Sequence, residues 1–312
     1  MDLILLFPGQ GSQKPGMGKD LAGALPAARA VFDEADCTLG IALSALCFDG
    51  PDDQLTSTQN AQPALLAHGA AAWTLIRERA LPHVRAAAGH SLGEFTAYYA
   101  AGSLSLADAL RVVRTRGELM FTSGVERPGA MAAILGLAAD AVERACATAT
   151  AEGGVVVPAN YNTPEQLVIS GEVAAVERAM ALAKEAGAKR AIRLNVSGAF
   201  HSPLMEVAAA GLERALDAAA MRAPSFPVSS NVSAEPVRDA TAAKALLVRQ
   251  LTSPVRWTAL VQRLAADHPG AVFVELGPGT VLSNLVKRIV PGAQTLPCGT
   301  VDDVDALHQR LA

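Results

Sequence analysis

The sequence predicts an α/β protein, a parallel sheet covered on both faces by helices, with a smaller unit inserted into it. Three observations predict this. Short apolar runs alternate with longer helical patterns at both ends of the chain. The order changes near Gly124 to strand, helix, two strands, helix, strand. The chain has 312 residues and is 51% hydrophobic, which is enough for a large core and more than one unit. Aromatics are only 4%, so that core must be built mainly of Ala, Leu and Val.

Leu3–Phe7 is a short apolar run ended by PGQGSQ and reads as a buried strand followed by a loop. No element is assigned from that loop to Asn60. Ala61–Leu81 is a long alanine-rich helical pattern. Val84–Ala88 is a second buried strand, and the helix that follows Ser91 ends near Gly102. Ser105–Thr122 is a helix with a serine at its start. GAMAAILGL (129–137) is strand-like and 139–152 is helical. VVVPANY (155–161) and QLVISG (166–171) are strands joined by a turn at NTPE, 172–187 is helical, and 189–196 is a strand. The order βαββαβ is that of a ferredoxin-like unit. Helices are expected at Pro203–Ala220, Ala240–Gln250 and Trp257–Asp267. A strand at Ala271–Leu276 then leads through GPG to a helix at Thr280–Val290.

Composition excludes several functions. The net charge is −4 and no run of Lys/Arg exceeds two, which argues against a nucleic-acid groove or a polybasic membrane patch. The N-terminus MDLILLFPGQ carries an acid at position 2 and too short an apolar run for a signal peptide. No window of about 18 uninterrupted apolar residues exists, so no membrane span is expected. Cys37, Cys47, Cys146 and Cys298 are scattered, without a C-x-x-C, as in a reduced cytoplasmic protein rather than a disulfide frame or metal site.

Gly89-His90-Ser91-Leu92-Gly93 fits G-x-S-x-G. A tight strand-to-helix turn needs small neighbours, aims Oγ outward and offers the free N–H groups of the next helix to a developing negative charge. With 26 glycines in the chain, the pattern alone also fits a serine N-cap beside a glycine bend. A serine needs a base. Of the six histidines, His90 leaves the bend in another direction and is read as structural. His201, in NVSGAFHSPLM between the insert and a helix, is the candidate; a helix-capping histidine is the alternative. No acid is evident as a third member, which points to a dyad oriented by a carbonyl or amide. The Leu92 N–H is the usual first oxyanion donor, and Gln10 can bring an amide from the loop after the first strand. GQGSQ lacks the endings of a phosphate-binding loop.

On the 105–122 helix, Leu106, Ala109, Leu110, Val113, Gly117 and Met120 form an apolar arc at about 100° per residue. Arg116 falls inside it. A core-facing guanidinium needs an anion: either a protein carboxylate, or a substrate carboxylate gripped by the fork.

Six stretches then occur in order: FPGQGSQKPGMG (7–18), GHSLGEFTAYYAAG (89–102), RGELM (116–120), NYNTPEQLVISG (160–171), SGAFHSPLM (197–205) and ELGPGTVL (275–282). Together they resemble the malonyl-CoA:acyl carrier protein transacylase family, which includes polyketide synthase acyltransferases. The resemblance implies an α/β-hydrolase-like parallel-sheet core (1–124 and 195–312) with an inserted ferredoxin-like βαββαβ subdomain (125–194). It implies Ser91 as nucleophile, His201 as base, Gln250 as the residue that orients the histidine, and Gln10 with the Leu92 N–H as oxyanion hole. It further implies Arg116 as holder of the malonyl carboxylate and Phe200 as the bulky residue that leaves little room for an α-methyl group. Malonyl-CoA and an acyl carrier protein are the implied partners, with no metal or redox cofactor, since the CoA thioester is itself the substrate. Lys189, Arg190, Lys287 and Arg288 are candidates for a basic carrier-docking face. The alternatives are a discrete acyltransferase of a polyketide synthase, a thioesterase or esterase, and a carrier-binding subunit without catalysis.

Overall fold

A computed structural model of the chain describes residues 1–196 and 198–312. The strands are β1 (Leu3–Phe7), β2 (Val84–Gly89), β3 (Gly129–Leu135), β4 (Val156–Thr163), β5 (Gln166–Glu172), β6 (Arg190–Arg193), β7 (Val228–Ser229), β8 (Pro236–Val237), β9 (Val272–Glu275) and β10 (Thr295–Pro297). They form two sheets. The larger has the order β10-β9-β1-β2-β7-β8 and is parallel except for β8.

β1 lies at its centre and is buried along its whole length. Its side chains alternate between two cores. Leu3, Leu5 and Phe7 face the helix Thr58–Ala80 and its neighbours, whereas Ile4 and Leu6 pack with Trp257, Leu260 and Val286 on the opposite face. That is why the strand reads as an unbroken apolar run rather than an alternating one.

The smaller sheet has the order β4-β5-β3-β6, with every pair antiparallel. The helices Ala139–Ala151 and Val173–Glu185 cover it and close a separate core around Ile134, Val142, Ile169 and Val176. This is the strand order of a ferredoxin-like βαββαβ unit. Its β4 edge is tied to the larger unit, because Tyr161 donates to the Val255 carbonyl and the Val255 N–H donates to Ala159.

Several elements depart from the sequence expectation. Four helices, Lys19–Ala24, Pro26–Leu39, Leu43–Asp49 and Asp52–Thr56, fill the stretch before Ala61, for which the sequence reading gives no element. β7, β8, β10 and a C-terminal helix, Val301–Leu311, were also not expected. The last strand of the small sheet ends at Arg193 rather than at 196. The long helix starts three residues earlier than expected, at Thr58, and contains Pro63. Proline cannot donate to the carbonyl four residues back; that carbonyl, of Gln59, instead accepts from Arg114 Nη1 at 3.1 Å. Among the described residues, no helix is long and apolar enough to cross a membrane.

Candidate active site

The turn after β2 sits at the carboxyl edge of the parallel sheet, where open α/β sheets place their sites. Phe7 pairs with Gly89, and the His90 N–H donates to the Phe7 carbonyl at 3.0 Å. The PGQG loop leaving β1 is therefore beside the turn leaving β2. Gly93 opens the helix Gly93–Ala100 directly against β1: a Cβ there would overlap the Phe7 carbonyl. Gly93→Ala is expected to cost more than about 4 kcal/mol, because backbone rather than a movable side chain is in the way. Chemical denaturation measures it; a loss under about 1 kcal/mol would contradict this packing.

Ser91 has φ 52°, a left-handed conformation uncommon for any residue but glycine. Asn231, at the end of β7, holds it there. Its Oδ1 accepts from the Ser91 N–H at 2.7 Å and its Nδ2 donates to the Gly89 carbonyl at 2.7 Å. The hydroxyl is thereby presented to His201, whose Nε2 lies 2.8 Å from Ser91 Oγ although the two residues are 110 positions apart.

His201 also has a left-handed backbone, with φ 56°. Its Nδ1 lies 2.8 Å from the main-chain carbonyl of Gln250. A carbonyl only accepts, so Nδ1 carries the proton and Nε2 offers its lone pair to the serine. The orienting group is thus the Gln250 backbone, not its side chain. Burial holds the ring far below the usual histidine range, at about 3; the positive charge of Arg116 adds to this, and the Gln250 carbonyl opposes it. The imidazole is a neutral base at physiological pH. The capping alternative for His201 falls to its neighbour: Ser202 Oγ accepts from the Leu204 N–H and caps the short turn that follows.

Arg116 lies on the helix Leu106–Glu126 and is 1% exposed. Gly117 lets this helix cross closely over Thr58–Ala80, since a Cβ there would lie 2.8 Å from the Gln59 Cα. The guanidinium donates to Gln62 Oε1 at 2.7 Å, to Gln250 Oε1 at 2.9 Å and to Ser91 Oγ at 3.0 Å. It also lies over the Phe95 ring, 5.3 Å from its centroid. Among the described residues no carboxylate forms an ion pair with it. Of the two alternatives for Arg116, a direct protein salt bridge gives way to neutral amide acceptors, which leave the guanidinium able to meet a carboxylate directly.

The Gln250 side chain is a hub. Besides Arg116 it meets the Ser91 carbonyl, 3.0 Å from Nε2, and Glu94 Oε2, 2.7 Å from Nε2. Sequence reasoning missed Glu94, Asn231 and Gln62 as parts of this network.

Ser91, Leu92, Arg116, Phe200, His201 and Gln10 all line one cavity of about 390 Å³. The Leu92 N–H makes no hydrogen bond among the described residues, so it is available to an oxyanion. The Gln10 carboxamide donates one N–H to Thr58 Oγ1 at 3.1 Å and carries a second N–H. His90, read as structural, hydrogen-bonds Asn162 at 2.8 Å and tilts against Trp257, while also bordering the cavity. Ser197, the first residue of the histidine motif, lies outside the described residues. Lys189, Arg190, Lys287 and Arg288 are exposed. Arg288 donates to Gln166 at 3.3 Å, and Gln166 pairs through Leu135 with Arg190, so Arg288 and Arg190 lie at one end of the small sheet.

The model of the acyl transferase domain family matches residues 4–301. The chain belongs to this family. It is 46% identical over 310 residues to the malonyl CoA-acyl carrier protein transacylase of Bacillus subtilis, covering 99% of this chain and 97% of the relative. Among solved structures, it matches an acyl carrier protein S-malonyltransferase from Vibrio cholerae at 43% identity and TM-score 0.94, covering 98% of this chain and 100% of the other. A malonyl-transacylase solved in complex with a type II PKS acyl-carrier protein matches at 41% identity and TM-score 0.95, covering 99% of this chain and 100% of the other. Acyl transferase family membership agrees with the geometry: a serine, a neutral histidine and a buried cation share a single hydroxyl.

Proposed function

We propose that this acyltransferase moves a malonyl group from malonyl-CoA to the phosphopantetheine thiol of an acyl carrier protein, through a malonyl-serine intermediate. Fatty-acid synthesis, rather than a polyketide assembly line, is the setting its relatives favour. The observation that carries the proposal is the Ser91 hydroxyl, 2.8 Å from the His201 base and 3.0 Å from the Arg116 guanidinium.

In the first half-reaction Ser91 attacks the thioester carbonyl while His201 Nε2 takes its proton. The Leu92 N–H, with an N–H of Gln10, receives the oxyanion, and Arg116 holds the malonyl carboxylate. CoA leaves as its thiol, taking the proton from His201. In the second half-reaction His201 deprotonates the carrier thiol, which attacks malonyl-Ser91 and restores the serine. Nucleophile, base and donors all come from the chain, so the proposed steps call on no metal or redox cofactor. Phe200, 5% exposed in the cavity wall, supports a preference for malonyl over α-methyl thioesters. A cytoplasmic site of action is part of the proposal. Its support is the set of four free cysteines, three of them buried.

Incubation with malonyl-CoA followed by intact-mass measurement tests the first half-reaction. One malonyl adduct, mapped to Ser91 and discharged by an acyl carrier protein, is expected. A folded protein that releases free malonate and never transfers it would overturn the proposal in favour of a thioesterase.

A further inference from the structure

The malonyl clamp leaves one buried charge without a role. Glu94 is fully enclosed at 0% exposure, in the first turn of Gly93–Ala100, the helix that follows the sharp turn, or elbow, at Ser91. Its Oε2 accepts from Gln250 Nε2 at 2.7 Å and from the Asn231 N–H at 3.1 Å, while Oε1 has no partner among the described residues. Gln250 in turn gives its Oε1 to Arg116. A carboxylate only accepts and a guanidinium only donates, so one carboxamide orientation satisfies both and the flipped one satisfies neither. Glu94 and Arg116 are therefore joined through Gln250, with no direct ion pair.

Among the described residues, Arg116 is the charge that acts on Glu94 and Glu94 the charge that acts on Arg116. Facing Glu94 are Arg116 from its helix and Tyr98 from one turn along the elbow helix, the latter kept protonated by burial and then by the charges of Glu94 and Asp239. Asn231 and Gln250 contribute amides only, and His201, across Ser91, is neutral. Burial raises the Glu94 carboxyl to about 7, against the hydrogen bonds from Asn231 and Gln250 and the charge of Arg116. Burial likewise lowers Arg116 to about 10, against the charge of Glu94. Between about pH 7 and about pH 10 the pair is thus one cation and one anion in balance.

A malonyl carboxylate seated on Arg116 adds a second anion. Two carboxylates sharing one buried cation do not both stay ionised. The malonyl group bonds the guanidinium directly, whereas Glu94 reaches it only across an amide, so Glu94 is the one that yields. We propose that Glu94 is the resident counter-ion of Arg116 and takes up a proton from solvent when a malonyl carboxylate is seated, so that malonyl binding is proton-coupled and acetyl binding is not. The inference rests on the malonyl clamp proposed above. The proton goes to the unpartnered Oε1, and Oε2 keeps both of its hydrogen bonds. Glu94 is a positioning residue, acting on substrate only through Gln250 and Arg116.

The sign follows from linkage. Uptake of a proton on binding means that malonyl affinity falls as pH rises above the range of the empty-site carboxyl, by up to about tenfold per pH unit. Acetyl affinity is flat over the same interval.

Calorimetry on a Ser91→Ala background, which blocks acylation, tests this with malonyl-CoA and acetyl-CoA near pH 7.5 in two buffers of different ionisation heat. Malonyl-CoA is expected to take up about half a proton or more beyond acetyl-CoA, and Glu94→Gln is expected to abolish that excess while malonyl-CoA still binds. Infrared difference spectra of the Ser91→Ala protein, otherwise unaltered, should gain a carboxylic-acid carbonyl band with malonyl-CoA and none with acetyl-CoA. This second measurement decides the matter if the Glu94 variant does not fold. Equal uptake for the two thioesters, uptake that persists in Glu94→Gln, or no acid band would overturn the counter-ion role. Arg116→Ala separates the layers. If it weakens malonyl-CoA binding but no excess proton is seen, only the counter-ion proposal fails. If it leaves malonyl-CoA binding unchanged, the clamp fails and the counter-ion proposal falls with it.

Discussion

Arg116→Ala is expected to lower malonyl loading of the enzyme by about two orders of magnitude or more in kcat/KM, while acetyl loading is kept or rises. The guanidinium is buried, uses neutral amides as acceptors and sits at the nucleophile. Removing it costs about 2–5 kcal/mol of charge-assisted recognition for a substrate that carries a carboxylate. An acetyl thioester has no carboxylate to lose and gains room. Arg116→Lys keeps the charge but not the planar fork, and should fall between the two. Alanine also leaves Gln62 Oε1 and Gln250 Oε1 without their donor, so thermal melts are needed beside the kinetics. Equal loss for malonyl and acetyl groups would mean that Arg116 serves the elbow rather than the substrate.

Ser91→Ala should remove the covalent adduct completely and reduce transfer to the carrier by on the order of 10⁵-fold or more. Only the hydroxyl accepts the acyl group. His201 and the Leu92 N–H remain in place but have no intermediate to act on. Intact mass after malonyl-CoA treatment reads the first effect, and carrier acylation reads the second. An adduct of undiminished occupancy would move the nucleophile elsewhere. His201→Ala is the informative companion: it keeps the hydroxyl and removes the base 2.8 Å from it, so the adduct should form slowly rather than not at all.

Much of the fold was legible because burial writes directly into sequence. β1 was found at its observed limits, since a strand enclosed on both faces must be apolar throughout. The small sheet declared itself by the order of its elements. The helix Pro26–Leu39 carried a readable signal, with proline at its start, glycine after its end and Ala28, Val31, Phe32 and Ala35 at helical spacing, yet no element was assigned there. The two-residue β7 and β8 could not be read at all. Nothing so short has a period, and β7 is a strand through its pairing with β2 on one side and β8 on the other.

The site divides in the same way. Arg116 betrayed itself as a charge on an apolar face, and Ser91 by the glycines its turn requires. Asn231 and Gln62 gave no such sign, because an amide is at home on any surface and its partners are set by tertiary contact. Gln250 was attributed the right partner by resemblance, but the group that meets His201 is a main-chain carbonyl, which every residue has. Glu94 stands in GHSLGEFTAYYAAG without a visible role, since its importance lies in being shut away from water, which sequence does not print.

Of the three left-handed residues other than glycine, the two in the site carry a last consequence. Ser91 and His201 each hold a backbone shape that side-chain-bearing residues resist, at roughly 1–3 kcal/mol apiece. Both supply the reacting atoms. Chemistry and durability therefore pull in opposite directions at those two positions, and selection for heat resistance alone would drive the chain towards glycine there and silence it.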